Sequence, residues 1–200
     1  MCSFCWAYRP VWSEIQAQMS ERHPEIEIVY TMGGLAPDSD QPMPYELRDK
    51  LMATWRYIQQ NIPGTEFNYD FWTEQSPRRS TYPACRAVMA AKKLNAHREQ
   101  PMILAIQQAY YLSAKNPSDE DTLVDCAESI GLDRNQFTDT LRSSECDAAF
   151  AKDREQSRLL GISSFPSLVI TRKDARFSIP VNYTRASLTM EQIFEAHTLL

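Results

Sequence analysis

The chain has 200 residues, 43% of them apolar and 10% aromatic, with a formal net charge of −5. That suffices for one sizeable core, or a core with a large insertion, and the acidic balance excludes a generally basic surface for nucleic acid or anionic membrane. No apolar run reaches the roughly 18 residues of a membrane helix, and five scattered cysteines are not the framework of a small disulfide-rich protein.

In chain order, Cys2-Ser3-Phe4-Cys5 comes first. Trp6 to Arg22 reads as a helix, with Val11, Ile15 and Met19 recurring every four residues and Pro10 inside it. An interior proline costs about 3 kcal/mol, so a geometric reason is expected. After His23-Pro24, residues 25–32 alternate and read as a strand: Ile26, Ile28, Tyr30 and Met32 share one face. Gly33-Gly34 breaks that strand, and a loop follows. Helices are expected from Pro44 to before Pro63, then over 83–94, 99–114, 118–130, 134–141 and 144–160, with an irregular aromatic stretch at 65–80. Ser118 with Asp121 and Ser144 with Asp147 have N-cap spacing; Gly131 and Gly161 read as C-terminal caps. The end changes character: a strand at 167–171, a Lys173-Asp174 turn, a strand at 176–181 and a helix opened by a Thr189/Gln192 capping box. The pattern is α/β at both ends with an all-helical middle. The simplest architecture is one α/β domain from residues 1–40 and 161–200, with a helical insertion at 41–160.

Two cysteines separated by two residues can close a small disulfide ring. At a helix N-terminus the first sulfur meets unpaired N–H groups and the positive end of the dipole, and both stabilise a thiolate. Cys2 is then the attacking sulfur and Cys5, one turn in, the resolving one. Ser3 can donate a hydrogen bond to a sulfur; Phe4 cannot. Acidification therefore rests mainly on backbone, and no extreme thiol pKa is expected. Zinc is the competing reading, but no second Cys-x-x-Cys exists and His23, His97 and His197 are isolated. Cys85, Cys126 and Cys146 read as buried structural thiols. Farther along, Pro166 of GISSFPSLVI stands at the entrance to a strand, where proline removes a backbone donor and readily accepts a cis bond.

CSFCW, Pro10 five residues beyond Cys5, and FPSLVI before two strands and a helix together resemble the thioredoxin superfamily. The long helical insertion is similar to the DsbA-like branch. MCSFCWAYRP, YPACRAV, QQAYY and GISSFPSLVI are similar to bacterial predicted disulfide isomerases and FrnE-like oxidoreductases. The resemblance implies a thioredoxin-like fold and a thiol–disulfide oxidoreductase or isomerase, with Cys2 attacking and Cys5 resolving. It places Pro166 beside the disulfide as the cis-proline. Phe165 is implied to pair its backbone with an extended substrate segment, and Ser3 and Phe4 to border the same site. It implies no bound cofactor or metal beyond the redox-active Cys2–Cys5 pair, with glutathione as a possible co-substrate. Protein or small-molecule thiols and disulfides are the implied partners. Relatives carry a strand directly before the Cys-x-x-Cys, and it is missing from this sequence, which leads us to expect an incomplete N-terminus. The alternatives are a glutathione-dependent transferase or isomerase of the kappa-like branch, in which Ser replaces the first cysteine, and a non-enzymatic chaperone or binding module. With no visible secretory signal the expected location is cytoplasmic, or periplasmic if an export signal precedes Met1. The sequence does not set the oligomeric state.

Overall fold

The computed structural model describes residues 1–199. Helix α1 runs over Ser3–Arg22 and passes through Pro10, which is exposed. It starts three residues earlier than its apolar spacing predicts because Cys2 caps it. Cys2 is extended (φ −112°, ψ 112°), and its Sγ accepts the Cys5 N–H, the position usually served by a Ser or Asp oxygen. Ala7, Tyr8, Val11, Ile15 and Met19 bury one face.

Strands β1 (Leu168–Arg172) and β2 (Ala175–Ile179) pair antiparallel from Leu168↔Ile179 to Arg172↔Ala175. Lys173 turns the hairpin with a left-handed φ of 53°. Helix α9 (Ala186–Leu199) follows. Its Met190, Ile193 and Ala196 pack with Tyr8, Val11, Ile15 and Ile179 into one apolar cluster. Thr189 opens no capping box: it lies inside α9, fully buried. The chain enters α9 instead through Asn182, whose Oδ1 accepts from Thr184 and Arg185 N–H.

Residues 25–32 form no strand. Among the described residues the sheet has only β1 and β2, so this segment has no neighbour with which to exchange ladder hydrogen bonds. The alternation is still used, since Ile26 and Ile28 pack against the same cluster as Leu168 and Ile170. The Met32 N–H is satisfied by the Asp153 carboxylate at 2.8 Å.

The middle consists of α2 (Tyr45–Asn61), α3 (Phe71–Glu74), α4 (Tyr82–Leu94), a single 3₁₀ turn at Ala96–Arg98, α5 (Glu99–Tyr111), α6 (Glu120–Ser129), α7 (Arg134–Leu141) and α8 (Ser144–Leu159). Ala84, Ala87, Ala90 and Ala91 make α4 thin, and α5 to α8 close around it with Met102, Ile106, Leu123, Phe137 and Phe150. A second cluster is aromatic and centres on Trp55, which is 0% exposed. Two expected caps move by one residue. Ser143, not Ser144, accepts the Cys146 N–H; Asp119, not Ser118, precedes α6, because Ser118 Oγ is engaged with the Ser80 carbonyl at 2.8 Å. Gly131 and Gly161 end α6 and α8 with φ of 82° and 75°.

Candidate functional site

The first turn of α1 and the loop before β1 meet, although 163 residues separate them. Cys2 Sγ lies 3.1 Å from the Cys5 N–H, which donates to it, and 3.3 Å from the Phe165 carbonyl, to which its own proton is given. The Phe165–Pro166 peptide is cis. Cys2 and Cys5 are both free thiols and both half-buried. The sequence-derived set of Cys2, Cys5, Phe165 and Pro166 is thus brought to one place.

The Phe165 ring is seated on Gly33. A Cβ at Gly33 would stand 1.8 Å from Phe165 Cζ, so only a glycine leaves room for the ring. Gly34, with φ of 66°, is approached less tightly: a Cβ there would stand 2.8 Å from Tyr82 Cε1 and 2.9 Å from Phe150 Cζ. Gly33-Gly34 therefore does more than break a strand, since it receives the Phe165 loop on one side and the helical middle on the other. The only sequence signal for this was the doubled glycine. A groove of about 480 Å³ opens beside Phe165, lined by Gly33, Leu35, Arg154, Arg158 and Ile162 among others.

Ser3 and Phe4 part ways. Phe4 packs edge-on to Tyr183 with ring centroids 5.8 Å apart. The Ser3 hydroxyl faces the helical middle, where Oγ accepts the Trp55 indole N–H at 2.9 Å. Behind it, Trp6 stacks on Tyr111 at 5.6 Å and donates its indole N–H to the Glu66 carbonyl at 3.0 Å. Trp55, Tyr111 and Tyr183 were missed as site neighbours. Helical periodicity places Trp55 on a buried face, but nothing local shows what that face meets.

The five thiols divide sharply. Cys2 alone is held below an ordinary cysteine, first by the adjacent Cys5 thiol as hydrogen-bond partner and then by the Cys5 amide, with burial opposing. The bond to the Phe165 carbonyl favours the protonated form. It is a single, long contact to a neutral acceptor, whereas two groups of Cys5 favour the anion, so the net direction is down. Cys5 is pushed well up by its hydrogen bond to Cys2 and by burial. Burial raises Cys85 and Cys146, and lifts Cys126 to about 11. Burial, with the Cys2 and Cys5 sulfurs adding, also pushes the Tyr183 phenol up to about 12. Among the described residues no group of three or more His, Cys, Asp or Glu is placed to hold a metal ion. No helix among them is long and apolar enough to cross a membrane.

A Cys-x-x-Cys capping a helix, a cis-proline loop against its first sulfur and a run of helices before two closing strands define a thioredoxin-fold protein. The thioredoxin family model matches residues 1–184, and the chain belongs to that family. It is 23% identical over 173 residues, 84% of its length, to the ClpXP adapter protein SpxH of Halalkalibacterium halodurans, and spans 55% of that protein. Its fold is similar to a putative protein disulfide isomerase from Nitrosomonas europaea (TM-score 0.82, 23% identity, covering 100% of this chain and 94% of that one). It is also similar to the cytosolic disulfide reductase DsbM from Pseudomonas aeruginosa (TM-score 0.76, 20% identity, covering 100% and 94%).

Proposed function

We propose that the protein is a thiol–disulfide oxidoreductase that works through Cys2 and Cys5. The observation that carries this reading is the division of the thiols: of five cysteines, only the helix-capping Cys2, with its Sγ on the Cys5 N–H, has its thiolate stabilised relative to an ordinary cysteine. The thiolate is the attacking species in disulfide exchange. In the reducing direction Cys2 S⁻ attacks a substrate disulfide. A Cys2–substrate S–S bond forms, the substrate S–S bond breaks, and one substrate thiolate leaves. Cys5, raised and therefore protonated until then, loses its proton and attacks Cys2 Sγ. The Cys2–Cys5 disulfide closes and the second substrate thiol leaves. Two electrons have passed to the substrate, and an external thiol must return them. Run backwards, the same steps oxidise a dithiol. No bound cofactor enters.

The Phe165 carbonyl and the cis-proline loop offer backbone to an extended substrate segment, as in strand addition. The groove beside Phe165 is open to what lies beyond the reacting cysteine. Residues 1–40 and 161–200 act as the redox domain, with 41–160 as the helical insertion. The unpaired thiols of half-buried Cys85 and of buried Cys126 and Cys146 fit a reducing compartment, so we place the protein in the cytoplasm. Glutathione is a candidate co-substrate: the DsbM structure, similar in fold, was also obtained with GSH. Cys2→Ser is expected to abolish dithiol-driven insulin reduction, and Cys5→Ser to accumulate a mixed disulfide on Cys2, read by intact mass. Full activity in Cys2→Ser refutes the proposal.

A second reading, a binding module, is favoured by the similarity to an adapter protein. Partner or holdase binding unchanged in the Cys2→Ser, Cys5→Ser double variant, in a protein without exchange activity, would select it.

A further inference from the structure

Ser3 is the first residue between the two cysteines and the first residue of α1. A residue there makes no intrahelical bond through its N–H, so the helix ladder holds it by its carbonyl alone. Its side chain is pinned from outside, by the Trp55 indole 52 positions away. Trp55 itself cannot move. It is 0% exposed and ringed by Phe67, Tyr69, Phe71, Trp72, Tyr110 and Tyr111, with centroids between 4.7 and 6.2 Å. The same cluster leaves the buried Trp72 indole N–H without a partner. A bond to the redox helix is therefore not forced on a tryptophan in this cage; Trp55 has one because its donor is aimed at Ser3.

We propose that Trp55 is a positioning residue of the redox site: through Ser3 it fixes the first turn of α1 with the Cys5 N–H aimed at Cys2 Sγ, and so sets the reduction potential of the Cys2–Cys5 pair. The inference rests on the dithiol function proposed above. Its sign follows from which state gains. The Cys5 N–H stabilises the Cys2 thiolate, which exists only in the reduced protein. A protein whose reduced form is stabilised is the stronger oxidant. Releasing the first turn must therefore make the pair more reducing and raise the thiol pKa of Cys2. The helical middle, which carries neither cysteine, becomes the part that tunes them.

The test is redox titration of the full chain in glutathione buffers, with alkylation of Cys2 followed against pH. Trp55→Phe keeps an aromatic ring and removes the N–H. It is expected to shift the equilibrium about fivefold towards the disulfide, about 20 mV at about 30 mV per tenfold change for two electrons. The alkylation midpoint should move up. Ser3→Ala removes the acceptor, leaves the cage intact and should produce the same shift, so it carries the test if Trp55→Phe fails to fold. The double variant should shift no further than either single one. Phe67→Leu removes the ring stacked 4.7 Å from Trp55 and should lower stability while leaving the potential in place. A wild-type potential in Ser3→Ala, or an equal shift in Phe67→Leu, overturns the inference. A wild-type protein with no measurable Cys2–Cys5 couple overturns the proposed function instead.

Discussion

The two ends of the chain and its helical middle are built on opposite plans. At the ends, a two-stranded hairpin with β2 exposed over four of its five residues carries the loop that touches Cys2. Contacts there are mostly single backbone groups: one amide to a sulfur, one sulfur to a carbonyl. In the middle, six rings close around one tryptophan, each pair adding about 0.5–1.5 kcal/mol beyond its burial. Chemistry sits where packing is sparse and main-chain groups are free, and rigidity is borrowed from the neighbour. The borrowing passes through Ser3 to Trp55, Trp6 to Tyr111 and the Glu66 carbonyl, Gly33-Gly34 between Phe165 and Tyr82, and Met32 to Asp153, among other contacts.

Substitutions on the two sides should therefore fail differently. The largest effect on stability is expected from Trp55→Ala, which empties the aromatic cage and should cost about 3–5 kcal/mol, measured by urea unfolding. Cys2→Ser should do the reverse, removing all dithiol exchange while changing stability by less than about 1 kcal/mol, since a serine oxygen caps α1 at least as well as a thiol. If Cys2→Ser unfolds the protein, the ends are less independent of their chemistry than this contrast holds. Gly33→Ala pushes a methyl into the Phe165 ring. Overpacking of this kind costs about 1–3 kcal/mol, and here the displaced ring belongs to the loop that touches Cys2, so on the proposed function turnover of peptide disulfides should fall as well as stability. In the reduced protein, iodoacetamide should label Cys2 with a pH midpoint below that of an ordinary cysteine, and Cys5 only at higher pH. The sign follows from the shifts: rate tracks thiolate, and Cys2 is lowered while Cys5 is raised. The smallest effect belongs to Arg86→Ala. It breaks the paired bonds to Asp38 at 2.9 and 2.7 Å, a partly exposed ion pair worth less than about 1 kcal/mol.

Much of this was legible in one dimension. The helix expected over 134–141 agrees with α7 residue for residue, its start set by the Asp133 cap and its buried face by Phe137 and Leu141. The Cys-x-x-Cys and the Phe-Pro loop were recognisable as facing features because each carries its own residue signature. Features set by partners were not legible. Residues 25–32 have the alternation of a strand, but a ladder requires a neighbour and the described chain supplies none. Thr189 and Gln192 have the spacing of a capping box, yet the helix had already begun at Ala186, and spacing says nothing of what lies upstream. The meeting of Trp55 with Ser3 depends on how α2 lies against α1, a tertiary relation that helical periodicity does not carry.

One contact described above links two events that are usually considered apart. As a thiol, Cys2 spends its proton on the Phe165 carbonyl. A thiolate has no proton to give, so ionisation uncovers that oxygen and sets a negative sulfur beside it. On the proposed function, the sulfur that would attack and the oxygen that would receive a substrate N–H are thus changed by the loss of one proton. That one proton couples the charge on Cys2 to the number of free lone pairs on the Phe165 carbonyl, which accepts one hydrogen bond fewer once the thiol has ionised.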